Sequence, residues 1–156
     1  MITVNLLLAV VWVALTGDVS VVNFAAGFLL GYGILALVDR GAKVRSPYFN
    51  RVRRVLRLVR GFATELIRSN LKIAYEVVTP PHGMRPGIVA VPLDTRSDTE
   101  TLILANLITL TPGTLTVEID AEGKTLYMHD MYVEDPEKTR AAVKEGFEKL
   151  VREAMR

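Results

Sequence analysis

The stretch RVRRVLRLVRGFATELIRSNLKIAYEVV, residues 51–78, runs for 28 residues without a proline. At a helical period Arg53, Arg57, Arg60, Thr64, Arg68 and Lys72 fall on one stripe. Val52, Val55, Leu56, Val59, Ala63, Leu66, Ile67, Ala74 and Val77 fall on the other side, so the pattern predicts one long basic amphipathic helix. Such a helix would extend about 40 Å, long enough to cross a bilayer. Charge decides against that, because Arg57, Arg60, Glu65, Arg68, Lys72 and Glu76 lie inside it and each would cost about 2.5–3.5 kcal/mol at the bilayer centre. The helix is therefore expected in the membrane interface or against partner helices. The outer helix of a soluble bundle would share this pattern, and the residues before it separate the two.

Those residues are almost free of charge. The first 38 carry one, Asp18, whereas residues 40–72 carry ten Lys or Arg against Glu65 alone, and residues 94–156 carry 13 acidic and 8 basic side chains. The net charge of +2 conceals an apolar, a basic and an acidic part. A basic band of this kind suits anionic lipid headgroups or an acidic partner. With no cysteine in the 156 residues, disulfides, thiolate metal sites and cysteine nucleophiles are excluded.

Two apolar runs, ITVNLLLAVVWVAL and VSVVNFAAGFLLGYGILALV, meet at Thr16-Gly17-Asp18. The second has the ~20 residues a span needs and the first is short for one. With the Gly17 turn they predict a helical hairpin, two transmembrane helices over residues 1–40. A cleaved signal peptide is disfavoured, since a basic n-region and an A-x-A site are both missing. Arg40, Lys43, Arg45 and five arginines between 51 and 60 follow the second run, so both termini are expected in the cytoplasm of a multi-pass cell-membrane protein. Gly27 and Gly31 form a G-x-x-x-G pair and Asn5 and Asn23 are the amides of the spans; these four are candidates for packing against a partner helix. No Asp, Glu, Lys, Arg or His lies within either run, although ion pathways are ordinarily built from such residues. The chain is not expected to carry ions by itself.

Residues 41–79 hold the basic helix, and its candidates for lipid headgroups or a partner are Arg53, Arg57, Arg60, Arg68 and Lys72. Pro80, Pro81, Gly83, Pro86 and Gly87 make residues 80–87 a stiff linker, and its His82 reads as an exposed linker histidine. Residues 88–156 read as a small cytoplasmic α+β domain of order β-α-β-β-α. Ile88–Leu93 is a short apolar strand whose Pro92 favours an edge or a strand end, and Ser97 to Glu100 fits a capping box. Thr114–Ile119 and Thr125–Val133 form a hairpin, with Leu115, Val117 and Ile119 on one face. Asp135-Pro136 opens the last helix. The helix TLILANLITL at 101–110 is apolar nearly all round. Since a three-stranded sheet covers one side of it, Leu102, Leu104, Asn106, Leu107 and Ile108 are candidates for an interface outside the domain.

Chemistry is sparse. Asp94, Asp98 and Glu100 lack the bidentate acid and glycine of a calcium loop, and His129-Asp130 are strand neighbours that point to opposite faces. Thr111-Pro-Gly-Thr has neither the spacing nor the lysine of a phosphate loop. The arginine run has no interleaved aromatics for nucleic acid. No catalytic, cofactor or metal site is expected, and the chain is not read as an enzyme.

The order of these features resembles a known family. NLLLAVVW, ELIRSNLKIA, PGIVAVPLDTRSDTETLILANLITLTPGTLTVEID and YMHDMYVEDPE resemble the E subunit of the multisubunit Mrp-type Na+/H+ antiporter family along essentially the whole chain. NLITLTPGTLTV, residues 106–117, is the most specific piece. The resemblance implies a place in a membrane complex of several different subunits that exchanges cytoplasmic sodium for external protons. It also implies an accessory role in assembly and stability, with the ion-carrying residues on other subunits. A similar subunit type occurs in the sodium module of archaeal membrane-bound hydrogenases, which is one alternative setting. A self-contained membrane-anchored binding module is the other.

Overall fold

The computed structural model describes residues 1–41, 47–79 and 83–156. Lys43, Arg45 and the Pro80, Pro81 and His82 of the expected linker lie outside the described residues. Contacts divide the chain into two units, Met1–Arg53 and Arg54–Arg156.

In the first unit α1 (Ile2–Thr16) and α2 (Val21–Gly41) pack against each other. α1 ends where Gly17 takes φ 70° and returns its N–H to the Val13 carbonyl, a left-handed conformation that costs glycine nothing. The buried residues of the pair are Asn5, Ala9, Gly27, Gly31 and Asp39, while Leu7, Leu15, Val21, Leu29 and Leu37 point outward. Small and polar inside, large and apolar outside is the arrangement of helices that meet hydrocarbon rather than water. Only α2 is long and apolar enough to cross a membrane among the described residues. α1, with 15 residues, reaches about 22 Å against a hydrocarbon core of about 30 Å.

α3 (Pro47–Val78) begins in the first unit and continues into the second. The second unit then adds β1 (Gly87–Pro92), α4 (Asp98–Leu110), β2 (Thr114–Ile119), β3 (Thr125–Asp130), α5 (Pro136–Val143), a π-helical turn (Lys144–Glu148) and α6 (Lys149–Met155). The antiparallel sheet has order β1-β3-β2. Val89, Val91, Leu126 and Met128 meet Leu104, Ala105, Ile108, Val143 and Val151 in the core. A hydroxyl caps α4 and a carboxylate caps α5: Ser97 Oγ accepts from Glu100 N–H, and Asp135 from Glu137 N–H ahead of Pro136 at the first turn. Gly113, at φ 92°, makes the turn after α4 that a residue with a Cβ would strain.

Two expectations change here. Register shifts between Thr116 and Glu118, a β-bulge that leaves Val117 unpaired, so Ile119 joins the core side while Leu115 faces out. Strict alternation would put all three on one face. Leu104 and Ile108 are 0% and 1% exposed and are core residues, not interface residues. The sheet takes one side of α4 and the π turn with α6 closes a second, leaving Leu102 and Asn106 outward. Leu107 packs partly against the core.

Candidate functional site

The features that carry function here are surfaces, and α3 presents three of them. One narrow strip faces the C-terminal domain: Arg54, Leu58, Gly61, Phe62, Glu65, Ser69, Ile73 and Glu76 are half-buried. Gly61 lets the domain come close, since a Cβ there would stand 2.6 Å from Leu150 Cδ1. Next to it Phe62 meets Phe147 with ring centroids 6.3 Å apart. Arg57 pairs with Glu153 at 2.8 Å, and Lys72 Nζ stands 3.3 Å from the Tyr132 ring centroid, a cation–π contact. A cleft of about 570 Å³ stays open along this seam, lined by Glu65, Arg68 and Ser69 on one wall and Ile108, Met128 and Phe147 on the other. Burial, with the Glu76 and Asp130 carboxylates nearby, pushes the Tyr132 phenol above its ordinary pKa.

The second surface is apolar and uncovered. Val55, Leu56, Val59, Ile67, Leu71, Val77 and Val78 are all exposed, several by more than 60%. The third is the arginine stripe between them. Arg57 and Lys72 are drawn to the domain as described, while Arg53, Arg60 and Arg68 make no ion pair among the described residues. A two-sided reading of the sequence misses this division, because the domain settles on neither stripe but on the mixed strip between them.

The four packing candidates of the first unit are turned inward, which corrects the expected partner surface. A Cβ on Gly27 would stand 2.8 Å from Trp12 Cβ, and one on Gly31 would run into the Asn5 side chain; the glycines close the α1–α2 pair itself. Asn23 accepts from the Trp12 indole N–H at 2.9 Å and donates to Thr16 Oγ1 at 2.6 Å and the Asp18 carbonyl at 2.7 Å. Asn5 is fully buried and its amide finds no hydrogen-bond partner among the described residues.

The acidic loop after β1 is spent on structure. Glu148, 1% exposed, accepts from Asp94 N–H at 2.5 Å. Lys144 reaches Asp94 at 2.7 Å and Glu148 at 3.4 Å, and its hydrogen bond and charge hold the Asp94 carboxyl below the ordinary range. Glu100 accepts from Arg96 N–H at 2.8 Å. Glu148 escapes the sequence reading, although Lys144, Glu148 and Arg152 at four-residue spacing are a legible signal. His129 and Asp130 diverge as expected: Asp130 accepts from Tyr132 N–H at 2.9 Å and lines the cleft, while His129 lies on the other face of the sheet with Leu115. No group of three or more His, Asp or Glu converges to hold a metal among the described residues.

Known proteins share this plan. The chain is 34% identical to the Na(+)/H(+) antiporter E subunit of Alkalihalophilus pseudofirmus over 152 residues, 97% of this chain and 96% of that one. It is 35% identical to the corresponding E subunit of Bacillus subtilis over 155 residues, 99% and 98% of the two chains. Among solved structures it is similar to a chain of the Mrp complex from Dietzia sp., with 31% identity and TM-score 0.51 over 66% of this chain and 96% of that one. It is also similar to a chain of the membrane-bound sulfane sulfur reductase, an archaeal respiratory membrane complex, with 27% identity and TM-score 0.57 over 97% and 96%. The family model described as Na+/H+ ion antiporter subunit matches residues 5–154, and the chain belongs to that family, as its E subunit.

Proposed function

We propose that this chain is a multi-pass accessory subunit of a monovalent cation/proton antiporter complex, and that it supports assembly by packing rather than by carrying ions. The observation that carries the reading is that residues 2–38 hold no Asp, Glu, Lys, Arg or His other than Asp18 in the connecting turn, with Asp39 and Arg40 following only in the last turn of α2, whereas an ion path would need such groups along the spans. In this reading α1 and α2 cross the bilayer as a hairpin with both termini cytoplasmic, α1 matching its shorter length by local thinning. α3 lies in the cytoplasmic interface with Val55, Leu56, Val59 and Ile67 toward acyl chains. Arg53, Arg60 and Arg68 then reach anionic headgroups, each worth about 1 kcal/mol near such a surface. The α+β domain stands on the mixed strip of α3 between those two stripes, in water.

Proteoliposomes provide the test. The purified chain alone should give no sodium-driven pH change, whereas the complete complex should, and a complex assembled without this chain should be unstable or inactive. Sodium/proton exchange by the chain alone would overturn the accessory role. A second setting, the ion-translocating part of a respiratory or hydrogenase complex, is favoured by the likeness to the sulfane sulfur reductase chain along 97% of this sequence; the same packing role would serve there.

A further inference from the structure

The inner face of the sheet is covered by helices, whereas among the described residues the outer face is left open, and most of its exposed large side chains are apolar. By register Ile88, His129 and Leu115 form one cross-strand row, and Ala90, Tyr127 and Glu118 the next. Ile88 is 66% exposed, Val117 53%, Leu115 48% and Tyr127 38%. An antiparallel sheet with one packed face ordinarily shows water a polar one, so Ile88, Leu115, Val117 and Tyr127 exposed together on this face, around His129 and Glu118, mark an interaction site.

The edges of the sheet direct how a partner would meet it. On β1, Arg140 Nε donates to the Ala90 carbonyl at 2.7 Å. On β2, the Thr116 N–H is taken by Thr109 Oγ1 at 3.2 Å and the bulge at Val117 breaks the ladder. Side chains thus blunt both edges against strand addition, and a partner must pack on the face.

Lipid is excluded by the side on which α3 lies. The inner-face residues Thr114, Met128 and Asp130 share the seam cleft with Gly61, Glu65 and Arg68 of α3. Ile88 and Leu115 point the other way, so a bilayer that holds the apolar stripe of α3 cannot reach them. We infer that this outer face docks a protein, namely an apolar, basic-flanked cytoplasmic loop or helix end of a neighbouring membrane subunit. Charge supports that choice: Glu118 stands on the face across from Tyr127, Asp120 follows in the adjoining turn, and cytoplasmic loops of membrane proteins carry an excess of Lys and Arg. The exclusion of lipid rests on the interfacial placement of α3 proposed above.

The chain has no cysteine, so single-cysteine variants report one position each. Ile88→Cys and Leu115→Cys, with Glu145→Cys on an exposed helix surface as control, would be treated with a water-soluble maleimide in the isolated full-length chain and in the purified complex. Labelling at 88 and 115 should slow by roughly an order of magnitude on assembly, since the centre of an interface excludes water, while 145 reacts alike in both. Equal rates at 88 and 115 in the two forms would overturn the docking face. A fluorophore at Leu115→Cys quenched by nitroxide-labelled lipid would also overturn it, by giving the face to the membrane. The same probe at Leu56→Cys should be quenched; failure there, with 115 still protected on assembly, would displace α3 from the bilayer and leave the protein docking face standing.

Discussion

The Trp12 indole N–H donates to the Asn23 side-chain oxygen at 2.9 Å, tying the end of α1 to the start of α2. Asn23 also donates to Thr16 and Asp18, so one side chain satisfies three groups around the turn. Asn5, buried between the same two helices, satisfies none among the described residues. Asn23→Ala is expected to destabilise the helix pair by about 1–2 kcal/mol, whereas Asn5→Ala, which loses no hydrogen bond, should be neutral or stabilising. Unfolding of the detergent-solubilised chain by added dodecyl sulfate measures both.

Gly27 and Gly33 are six residues apart on α2 but differ in surroundings. A Cβ at Gly27 meets Trp12 at 2.8 Å and one at Gly33 meets nothing within 4 Å. Gly27→Leu should force the helices apart at a cost of about 1–3 kcal/mol, and Gly33→Leu should leave them in place. The single tryptophan is the reporter: thermal melting followed by Trp12 fluorescence should shift downward for the first variant only.

At the α3 seam, the neighbour that a Cβ on Gly61 would meet is the tip of Leu150, which has freedom to turn aside. Gly61→Ala should therefore be nearly neutral, the more so because alanine favours a helix interior over glycine by about 1 kcal/mol. Gly61→Phe should push α6 away from α3. Hydrogen exchange over residues 147–154 would then accelerate in the phenylalanine variant and stay unchanged in the alanine variant.

Tyr132 gives the seam an alkaline limit. Its phenol titrates above the ordinary value of about 10 because burial and the Glu76 carboxylate oppose the phenolate. The neutral phenol is thus bound more tightly in the folded state, and its contribution is complete below the unfolded pKa and lost as pH rises toward the folded one. Tyr132→Phe keeps the ring beneath Lys72 and removes the titration, so its stability should fall less steeply above pH ~10 than that of the parent chain. Chemical unfolding midpoints between neutral and strongly alkaline pH decide this.

Local signals make much of this fold legible. Ser97 and Asp135 cap the helices they precede, Gly17 turns α1 into α2, and residues 120–124 turn β2 into β3, because each depends on a few adjacent residues. What one sequence leaves open is which surface meets which. A helical wheel sorts α3 into basic and apolar stripes but says nothing of a third element; Gly61 and Phe62, between those stripes, become the docking strip only once Phe147 and Leu150 are placed beside them. Leu104 and Ile108 read as surplus apolar surface until the π turn and α6 close over them. Gly27 and Gly31 have the spacing of a helix–helix contact, and that spacing cannot distinguish a partner helix from the neighbouring helix of the same chain. A single bulge at Val117 likewise moves Ile119 to the core side.

This chain works as a packed part of a larger antiporter assembly. The most direct test of that role is extraction of native membranes in mild detergent through a C-terminal tag, followed by sizing and mass spectrometry of the particle. A large particle should come out, containing the other antiporter subunits in fixed proportion to this chain. Recovery of the chain alone at native abundance, from membranes in which those subunits are present, would contradict that role.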